Sequence, residues 1–209
     1  MRITGGQATG RILAVPKGLD VRPTPDRVKQ AVFNSLGDRV LGARVLELFA
    51  GTGALSLECL SRGAAQGVCV EKAERHAQAI RRNLAATKAG GAGLEVRVQD
   101  VFVALTQLAA AARLFDLVLA DPPYGEKNVG HRSRSLAQKL LDDPHLPRLL
   151  TTEGIFVLGH TKRDTLTIPP AWRELKVLKH GDSVMKLLVV AGPATPSDPP
   201  VEISGPPLD

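Results

Sequence analysis

The sequence is poor in aromatic residues and in cysteine, and both shortages limit the kinds of protein it can encode. Only 3% of the 209 residues are aromatic, and the two cysteines, Cys59 and Cys69, lie in apolar segments. The chain has no Cys-x-x-Cys pair and only five scattered histidines, which argues against a disulfide scaffold and against a metal site. Free thiols in apolar surroundings are typical of a reducing compartment, so we predict a cytoplasmic protein.

Long apolar runs are missing as well. No segment approaches the roughly 20 apolar residues that span a bilayer, and residues 1–6 lack the apolar stretch of a signal peptide. With 44% apolar and 23% charged residues, the composition is that of a globular protein whose length suits one domain. We expect no membrane partner and take a monomer as the default state.

Basic residues outnumber acidic ones, which gives a net charge of +6 and a pI of about 9.6. Residues 192–209 contain no Lys or Arg but three acids and six prolines, so the preceding body has 27 basic against 18 acidic residues, a net +9. This excess favours a polyanionic partner such as nucleic acid, although many soluble proteins are mildly basic without one. The composition of 192–209 predicts a disordered, Pro-rich tail.

From residue 44 onward, short apolar segments alternate with Ala-, Leu- and Arg-rich segments. This alternation predicts an α/β fold with a parallel sheet covered on both faces. Two more β-prone stretches flank His180-Gly181-Asp182 and predict an antiparallel hairpin that closes the sheet. The predicted strands are 44–49, 67–71, 94–99, 115–120, 154–159, 174–178 and 184–190, and the predicted helices are 53–62, 73–89, 101–112 and pieces of 134–151.

The first 40 residues have a different character. Short β-prone pieces at 2–4 and 11–15 predict a small hairpin or arm, and a helix start signal follows it. Thr24 suits the N-cap, Pro25 the first helical position, and Gly37 the end of that helix. We therefore divide the chain into an amino-terminal arm and helix (1–40), a main domain (41–191) and the tail (192–209).

The most informative motif is Asp121-Pro122-Pro123-Tyr124, which directly follows the predicted strand 115–120. The prolines lack N–H groups and fix φ, so the turn presents carbonyl oxygens as acceptors. Asp121 adds a carboxylate, and Tyr124 offers a ring for stacking. These groups suit a planar base that carries an exocyclic amine. An ordinary β-turn would use the same residues, because Asp-Pro and Pro-Pro are common in turns.

Three other strand ends carry groups that suit a nucleoside ligand. The glycine turn 47–53 closes the first strand, Glu71 the second and Asp100 the third. Because parallel strands place their carboxyl ends at one edge of the sheet, these groups and Asp121 should line one crevice. Each acid alone would be an ordinary solvated strand end, but four such groups in order point to a binding site.

The glycine turn is not a dinucleotide fingerprint, because Ser56 stands at its third glycine position. S-adenosylmethionine fits the pattern better than a dinucleotide, with Glu71 on the ribose, Asp100 on the adenine and the 49–53 turn beside the methionine part. Its sulfonium methyl is a strong electrophile, so proximity and orientation of the nucleophile can supply most of the catalysis.

These motifs resemble the class I methyltransferases that act on exocyclic amines of bases, and more narrowly the bacterial family of small-subunit (16S) ribosomal RNA guanine-N2 methyltransferases. The match runs from residue 2 to about residue 190. The motifs at 48–55 and 121–124 are shared with many relatives, whereas the amino-terminal signature is more distinctive. That signature comprises Arg2-Ile3-Thr4-Gly5-Gly6, Gly10-Arg11, Arg22-Pro23-Thr24-Pro25-Asp26-Arg27-Val28 and Phe33-Asn34.

The resemblance implies a Rossmann-like class I methyltransferase fold with a seven-stranded, mostly parallel sheet, an antiparallel last strand and an amino-terminal extension that covers the cleft. It also implies methyl transfer from S-adenosylmethionine, leaving S-adenosylhomocysteine, to the N2 amine of a guanine flipped out of 16S rRNA, naked or within a 30S particle. The catalytic residues would be Asp121, Pro122, Pro123 and Tyr124. The implied cofactor-binding residues are Thr24, Asn34, Glu47, Phe49, Ala50, Gly51, Gly53, Glu71, Lys72, Asp100, Val101 and Asp121.

Basic residues lie on both sides of the predicted cleft, where phosphate contacts would fix the register of an entering RNA strand. A solvated surface is the alternative interpretation. The predicted RNA-binding residues are Arg2, Arg11, Arg22, Arg27, Lys29, Lys127, Arg132 and Arg134. The chain departs from the family pattern at Gln30, at Gly159, where an acid is common, and at His180.

Two other functions fit the same residues. The first is an adenine-N6 methyltransferase acting on DNA or RNA, because the Asp-Pro-Pro-Tyr turn cannot tell an adenine amine from a guanine amine. No separate DNA-recognition domain is apparent in 209 residues, which argues against a sequence-specific DNA enzyme. The other is a non-catalytic, RNA-binding ribosome assembly factor with a vestigial cofactor site. Intact acids at three strand ends argue against it.

Overall fold

The computed structural model describes residues 1–15, 24–87, 93–125, 127–128 and 131–192. Within them, seven strands, five α-helices and two short 3₁₀ turns (Gly37–Val40 and Leu146–Leu149) succeed one another. The strands are β1 (Arg44–Leu48), β2 (Gln66–Glu71), β3 (Gly93–Val98), β4 (Phe115–Ala120), β5 (Leu150–Thr161), β6 (Trp172–His180) and β7 (Ser183–Val190). The helices are α1 (Asp26–Leu36), α2 (Ala54–Ser61), α3 (Glu74–Thr87), α4 (Val101–Ala110) and α5 (Leu136–Asp142).

All seven strands form one sheet in the order β3-β2-β1-β4-β5-β7-β6. The first five pair in parallel, and β7 runs antiparallel to both β5 and β6. The strand order reverses between β1 and β4, and open α/β sheets bind ligands at the carboxyl ends of the strands at such a point. The predicted seven-stranded, mostly parallel sheet with an antiparallel last strand is confirmed.

Two apolar layers bury the sheet, because alternate residues of the central strands point to opposite faces. Leu46 and Val118 belong to the layer that α4 and α5 cover. Val45 and Leu117 belong to the layer that α1 and α2 cover. Strands buried on both faces read as continuous apolar runs, which is why their sequences show no alternation of polar and apolar residues.

The predicted bounds hold for β4 and shift by one or two residues for most other elements. The fifth strand is the main exception, since β5 runs over 150–161 rather than 154–159. Its early residues include the polar run 151–153 and pair with β4 across a register shift, so the sequence there resembles a loop. The helical pieces expected in 134–151 are α5 and the second 3₁₀ turn.

The amino-terminal arm forms the predicted hairpin-like structure, with an isolated antiparallel bridge between Arg2 and Ile12. Ile3 and Leu13 are buried against Leu57 of α2. The Glu58 carboxylate accepts hydrogen bonds from both the amide and the hydroxyl of Thr4. These contacts fix the arm on α2. The division into arm, domain and tail remains a prediction, and residues 193–209 lie outside the described part of the chain.

Helix α1 begins at Asp26, one residue later than the sequence predicts. Pro25 occupies the N-cap position, where it makes no side-chain capping bond, and its carbonyl accepts from the amides of Val28 and Lys29. Thr24, the predicted cap, instead directs its hydroxyl to Asp121. The Thr24 side chain, which the local sequence assigns to the helix start, therefore makes a long-range hydrogen bond instead of a capping bond.

Candidate active site

The carboxyl ends of β1, β2, β4 and the start of α4 surround a cleft of about 570 Å³, within the usual range for ligand sites. It is more apolar than polar in character, with acids at fixed points around it. Ten residues predicted from the sequence line it: Phe49, Gly51, Glu71, Lys72, Asp100, Val101, Asp121, Pro122, Pro123 and Tyr124. The predicted convergence of the strand ends on one crevice is therefore seen in the structure.

Glu71, at the end of β2, is held by two backbone amides. Its two carboxylate oxygens accept hydrogen bonds of 2.8 Å from the amides of Gly51 and Ala73, so it ties the glycine turn to the end of β2. A carboxylate has about four acceptor sites. The two amides therefore leave acceptor capacity for the hydroxyl groups of a ligand in the cleft.

Asp100 caps helix α4 by accepting from the amide of Phe102 at 2.9 Å. Its second oxygen lies 3.9 Å from the ammonium of Lys72, whose side chain is largely exposed. Phe49 enters the glycine turn with a φ of 55°, a conformation that costs a non-glycine residue free energy and is concentrated at functional sites. The turn is thus shaped around the cleft at some cost in strain.

Asp121 follows β4 and is held by groups from two distant parts of the chain. Its Oδ2 accepts a 2.6 Å hydrogen bond from the Thr24 hydroxyl, and its Oδ1 lies against Gly159 of β5. Tyr124 has its hydroxyl 3.3 Å from that of Ser183 at the start of β7, with 37% of the residue exposed. The acid and the ring are both positioned on the rim of the cleft.

Five of the predicted cofactor-binding residues do not line this cleft. Thr24 contacts Asp121 instead. Asn34 lies in a separate depression, and its cofactor contact stays a prediction. Ala50 is buried. Gly53 has a φ of 73°, and a Cβ there would lie 3.0 Å from a side chain of α3, so this glycine serves the packing of α2 on α3.

Glu47 is the fifth such residue, and it points into the protein. It is 3% exposed and accepts from the amides of Leu55 and Ser56 at the start of α2. Burial raises the pKa of Glu47, and the hydrogen bonds from Ser56 and Leu55 oppose that rise. Its role in the described structure is to anchor the helix that follows the glycine turn.

Three residues that line the cleft were not predicted: His76, Phe102 and Leu136. His76 Nδ1 lies 3.2 Å from Glu71 Oε1, and both ring nitrogens are buried without a hydrogen bond to the described residues. It stands in the first turn of α3, five residues after Glu71. Proximity to a strand-end acid was the sequence signal that could have identified it.

A larger, basic cavity of about 1140 Å³ adjoins the cleft and shares Pro123, Tyr124 and Leu136 with it. Tyr124 therefore stands at the boundary between the two. Three of the predicted RNA-binding residues line this cavity, namely Lys127, Arg132 and Arg134. His131 and Lys139 line it as well, and Arg132 is paired with Asp142 at 2.6 Å.

On the arm side, Arg2, Arg11 and Arg27 are exposed, and Arg2 is paired with Asp26 at 3.1 Å. Arg22 lies outside the described residues. The prediction for Lys29 is wrong, because its side chain is 0% exposed. Its ammonium group donates to the Arg2 carbonyl and pairs with Asp26 and Glu58. These contacts within the protein leave Lys29 inaccessible to a phosphate.

Among the described residues, no group of three or more His, Cys, Asp or Glu side chains could hold a metal ion. Cys59 and Cys69 are free and buried, and burial raises the pKa of both thiols. No helix within the described ranges is long and apolar enough to cross a membrane.

The fold and the arrangement of strand-end acids around the cleft define a class I methyltransferase with a Rossmann-like sheet. A family model described as conserved hypothetical protein 95 matches residues 1–189, and the chain belongs to this family. The resemblance found from the motifs is thereby confirmed.

Comparisons with individual proteins agree with that placement. The chain is 42% identical over 173 residues, which are 82% of this chain and 81% of the other, to ribosomal RNA small subunit methyltransferase D of Escherichia coli (strain K12). A solved structure of a proposed E. coli methyltransferase, yhhF, superposes with a TM-score of 0.75 at 29% identity, covering 92% of this chain and 99% of that one. A hypothetical protein of Thermus thermophilus gives 0.72 at 31% identity, covering 91% and 99%.

Proposed function

We propose that this protein transfers a methyl group from S-adenosylmethionine to the exocyclic N2 amine of a guanine in 16S ribosomal RNA. The observation that carries the proposal is the position of Tyr124 and Asp121. Tyr124 lines both the cleft rimmed by acids and the cavity lined by basic residues, and Asp121 lines the cleft three residues before it. Membership of a family related to a small-subunit rRNA methyltransferase supports the choice of substrate.

The cleft has the donors and acceptors that S-adenosylmethionine requires. Glu71 retains acceptor sites for the ribose hydroxyls, and Asp100 stands at the far rim for the adenine amine. Gly51 has no side chain to obstruct a ligand beside the turn, and Phe49 and Val101 provide apolar walls. The apolar walls and the acids suit an uncharged adenosine with an amino-acid tail better than a pyrophosphate.

The residues of the catalytic turn act on the amine of the base. The bound cofactor supplies an electrophilic methyl group. The Asp121 carboxylate and the Pro122 carbonyl accept the N–H groups of the guanine amine, and the Tyr124 ring stacks on the base. S-adenosylmethionine in the cleft would supply the methyl group to the N2 lone pair and would leave as S-adenosylhomocysteine. The proton that N2 then loses is accepted by Asp121, and orientation supplies most of the rate enhancement.

The RNA contacts follow from the basic residues on the two sides of the turn. Lys127, Arg132 and Arg134 contact phosphates in the basic cavity, while Arg2, Arg11 and Arg27 contact them from the arm. The guanine is flipped out of its strand to reach Tyr124. The substrate is 16S rRNA within a 30S subunit or an assembly intermediate, in the cytoplasm, and the enzyme acts as a monomer.

The proposal is tested by incubating the protein with methyl-labelled S-adenosylmethionine and naked 16S rRNA or 30S particles from cells that lack the modification. The labelled RNA is then digested and the modified nucleoside identified by mass spectrometry. We expect N2-methylguanosine at one position. N6-methyladenosine would identify an adenine methyltransferase instead. An absence of label, together with no calorimetric signal for cofactor binding, would leave the RNA-binding assembly factor as the better explanation.

A further inference from the structure

We propose that Thr24 and Gly159 are positioning residues that together fix the carboxylate of Asp121. The inference rests on the proposed function, since it assumes that Asp121 orients the amine of the substrate. It reassigns Thr24, which the family resemblance places at the cofactor. Neither Thr24 nor Gly159 is among the described residues that line the cleft, so both act through Asp121.

Thr24 holds one oxygen of the carboxylate. Its hydroxyl donates to Asp121 Oδ2 at 2.6 Å across 97 residues of sequence, and hydrogen bonds to a charged acceptor are short and strong. The same hydroxyl could have capped helix α1, which begins two residues later, yet no side chain caps that helix. The structure therefore lacks a stabilising capping bond at α1 and has the hydrogen bond between Thr24 and Asp121 instead.

Gly159 provides the space that the other carboxylate oxygen, Oδ1, occupies. A Cβ at this position would lie 2.3 Å from Asp121 Oδ1 and 3.0 Å from its Cγ, with the sulfur of Met185 at 3.2 Å on another side. Gly159 does not have a positive φ, so in this chain, which departs from the family pattern here, the glycine provides space for the Asp121 carboxylate and not a special backbone conformation. The carboxylate occupies the volume that a side chain on β5 would fill.

Thr24 and Gly159 thus lie against different oxygens of the Asp121 carboxylate, and together they restrict its rotation. A fixed carboxylate has no rotamer freedom to lose when the amine binds, so the geometry of the reacting nitrogen is set in advance. Thr24 also lies just before the start of α1, which two ion pairs connect to its surroundings. Asp26 pairs with Arg2 of the arm, and Lys29 pairs with Glu58 of α2. The Thr24 hydroxyl therefore links this segment to Asp121.

The first test compares Thr24→Val with Thr24→Ser. Valine keeps the shape and removes the hydroxyl, and we expect it to lower kcat roughly tenfold or more, the worth of a hydrogen bond to a charged group. Serine should restore kcat to within about threefold. The KM for RNA and the Kd of S-adenosylmethionine, measured by calorimetry, should change little in either variant.

Thr151→Val is the matched control. It removes a hydrogen bond of 3.2 Å to Asp116 at the amino ends of the strands, far from the cleft in the sheet, and should leave kcat unchanged. A normal kcat for Thr24→Val would overturn the inference. So would an equal loss of cofactor affinity in that variant, which would make Thr24 a cofactor contact.

The second test introduces a methyl group at Gly159. Gly159→Ala should displace the Asp121 carboxylate, which a crystal structure of the variant would show directly, and should lower kcat at least about tenfold with cofactor affinity retained. Gly93→Ala is the control, because a Cβ at Gly93 meets nothing within 4 Å. If Asp121 keeps its rotamer in Gly159→Ala and kcat is unchanged, the inference is wrong.

The two proposals fail in different ways. An adenine product, or no product, from the wild-type protein overturns the proposed function. The crystal structure of Gly159→Ala, however, reports on the fixing of Asp121 whatever the substrate is. A guanine product with unaltered Asp121 geometry in Gly159→Ala would overturn the positioning role alone.

Discussion

The two ends of the parallel sheet use the same kinds of side chain for different purposes. At the amino ends of β1 and β4, Asp116 receives two hydrogen bonds from the guanidinium of Arg44 and one from its amide, at 2.9–3.1 Å, and the hydroxyl of Thr151 in β5 completes the set. At the carboxyl ends, Glu71 accepts from the amides of Gly51 and Ala73, and Asp121 accepts from the hydroxyl of Thr24.

The difference lies in what neutralises the charge. A bidentate guanidinium satisfies Asp116 and holds its pKa below the usual value, chiefly through the hydrogen bond from Arg44. Amide and hydroxyl donors fix a carboxylate in place without bringing a positive charge beside it. Acids at the two ends of the sheet therefore differ in their partners, a cation for Asp116 and amides or a hydroxyl for Glu71 and Asp121, and these partners are set by the tertiary fold.

The largest effect should come from Asp121→Ala, which removes the acid from the catalytic turn. We expect kcat to fall about 10³-fold, because oriented acceptor groups at a reacting centre contribute on that scale. The Kd of S-adenosylmethionine should stay within about threefold. Asp116→Ala, at the opposite end, should leave kcat unchanged. Normal turnover by Asp121→Ala would contradict the assigned role and remove the contrast between the two ends.

Glu47→Ala tests an acid that sits at the carboxyl edge but points inward. It would leave the buried amides of Leu55 and Ser56 without an acceptor, so we expect the free energy of unfolding to fall by about 2–4 kcal/mol in urea titrations. Cofactor affinity of the folded variant should remain close to normal. A weakened affinity without loss of stability would place Glu47 among the ligand contacts after all.

Glu71→Gln should mainly affect the cofactor. The amide group replaces one acceptor oxygen by a donor that faces Gly51 or Ala73, and we expect the Kd of S-adenosylmethionine to rise roughly 10- to 100-fold. Glu74→Gln, on the exposed side of α3, is the matched control and should bind normally. Equal affinities for the two variants in calorimetry would exclude Glu71 as a ribose contact.

The smallest effect should come from Asp116→Asn, and it depends on pH. Because the pKa of Asp116 is lowered in the folded state, its contribution to stability is present above pH 3.8 and is lost as the pH falls through the folded-state pKa. Both partners are more than a third exposed, so we expect only about 0.5–1 kcal/mol at neutral pH. The difference from wild type in the free energy of unfolding should shrink as the pH is lowered below 3.8, and a constant difference would contradict the ion-pair explanation.

The sequence was sufficient to predict those site residues whose position follows from the order of strands along the chain. Parallel strands bring their carboxyl ends to one edge, so Glu71, Asp100 and Asp121 could be placed on one cleft before any coordinates were known. It failed for Lys29, which looked like a surface base beside other bases, because its partner Glu58 lies on a different helix. The surface on which Asn34 lies, a separate depression, was also not evident from the sequence, since a helix turns successive residues to different surfaces.

What the sequence determined by itself is the alternation of strands and helices, and with it the edge of the sheet at which acids and glycines collect. Apolar periodicity and turn residues are local signals, and local signals are sufficient to order elements along a chain. Only the tertiary structure decided which donor each acid receives, because Thr24, Gly159 and Asp121 meet across distances in sequence that no local pattern spans. The free energy of those contacts exists only once the sheet has assembled, so no local stretch of the chain can reveal which partner each acid will have.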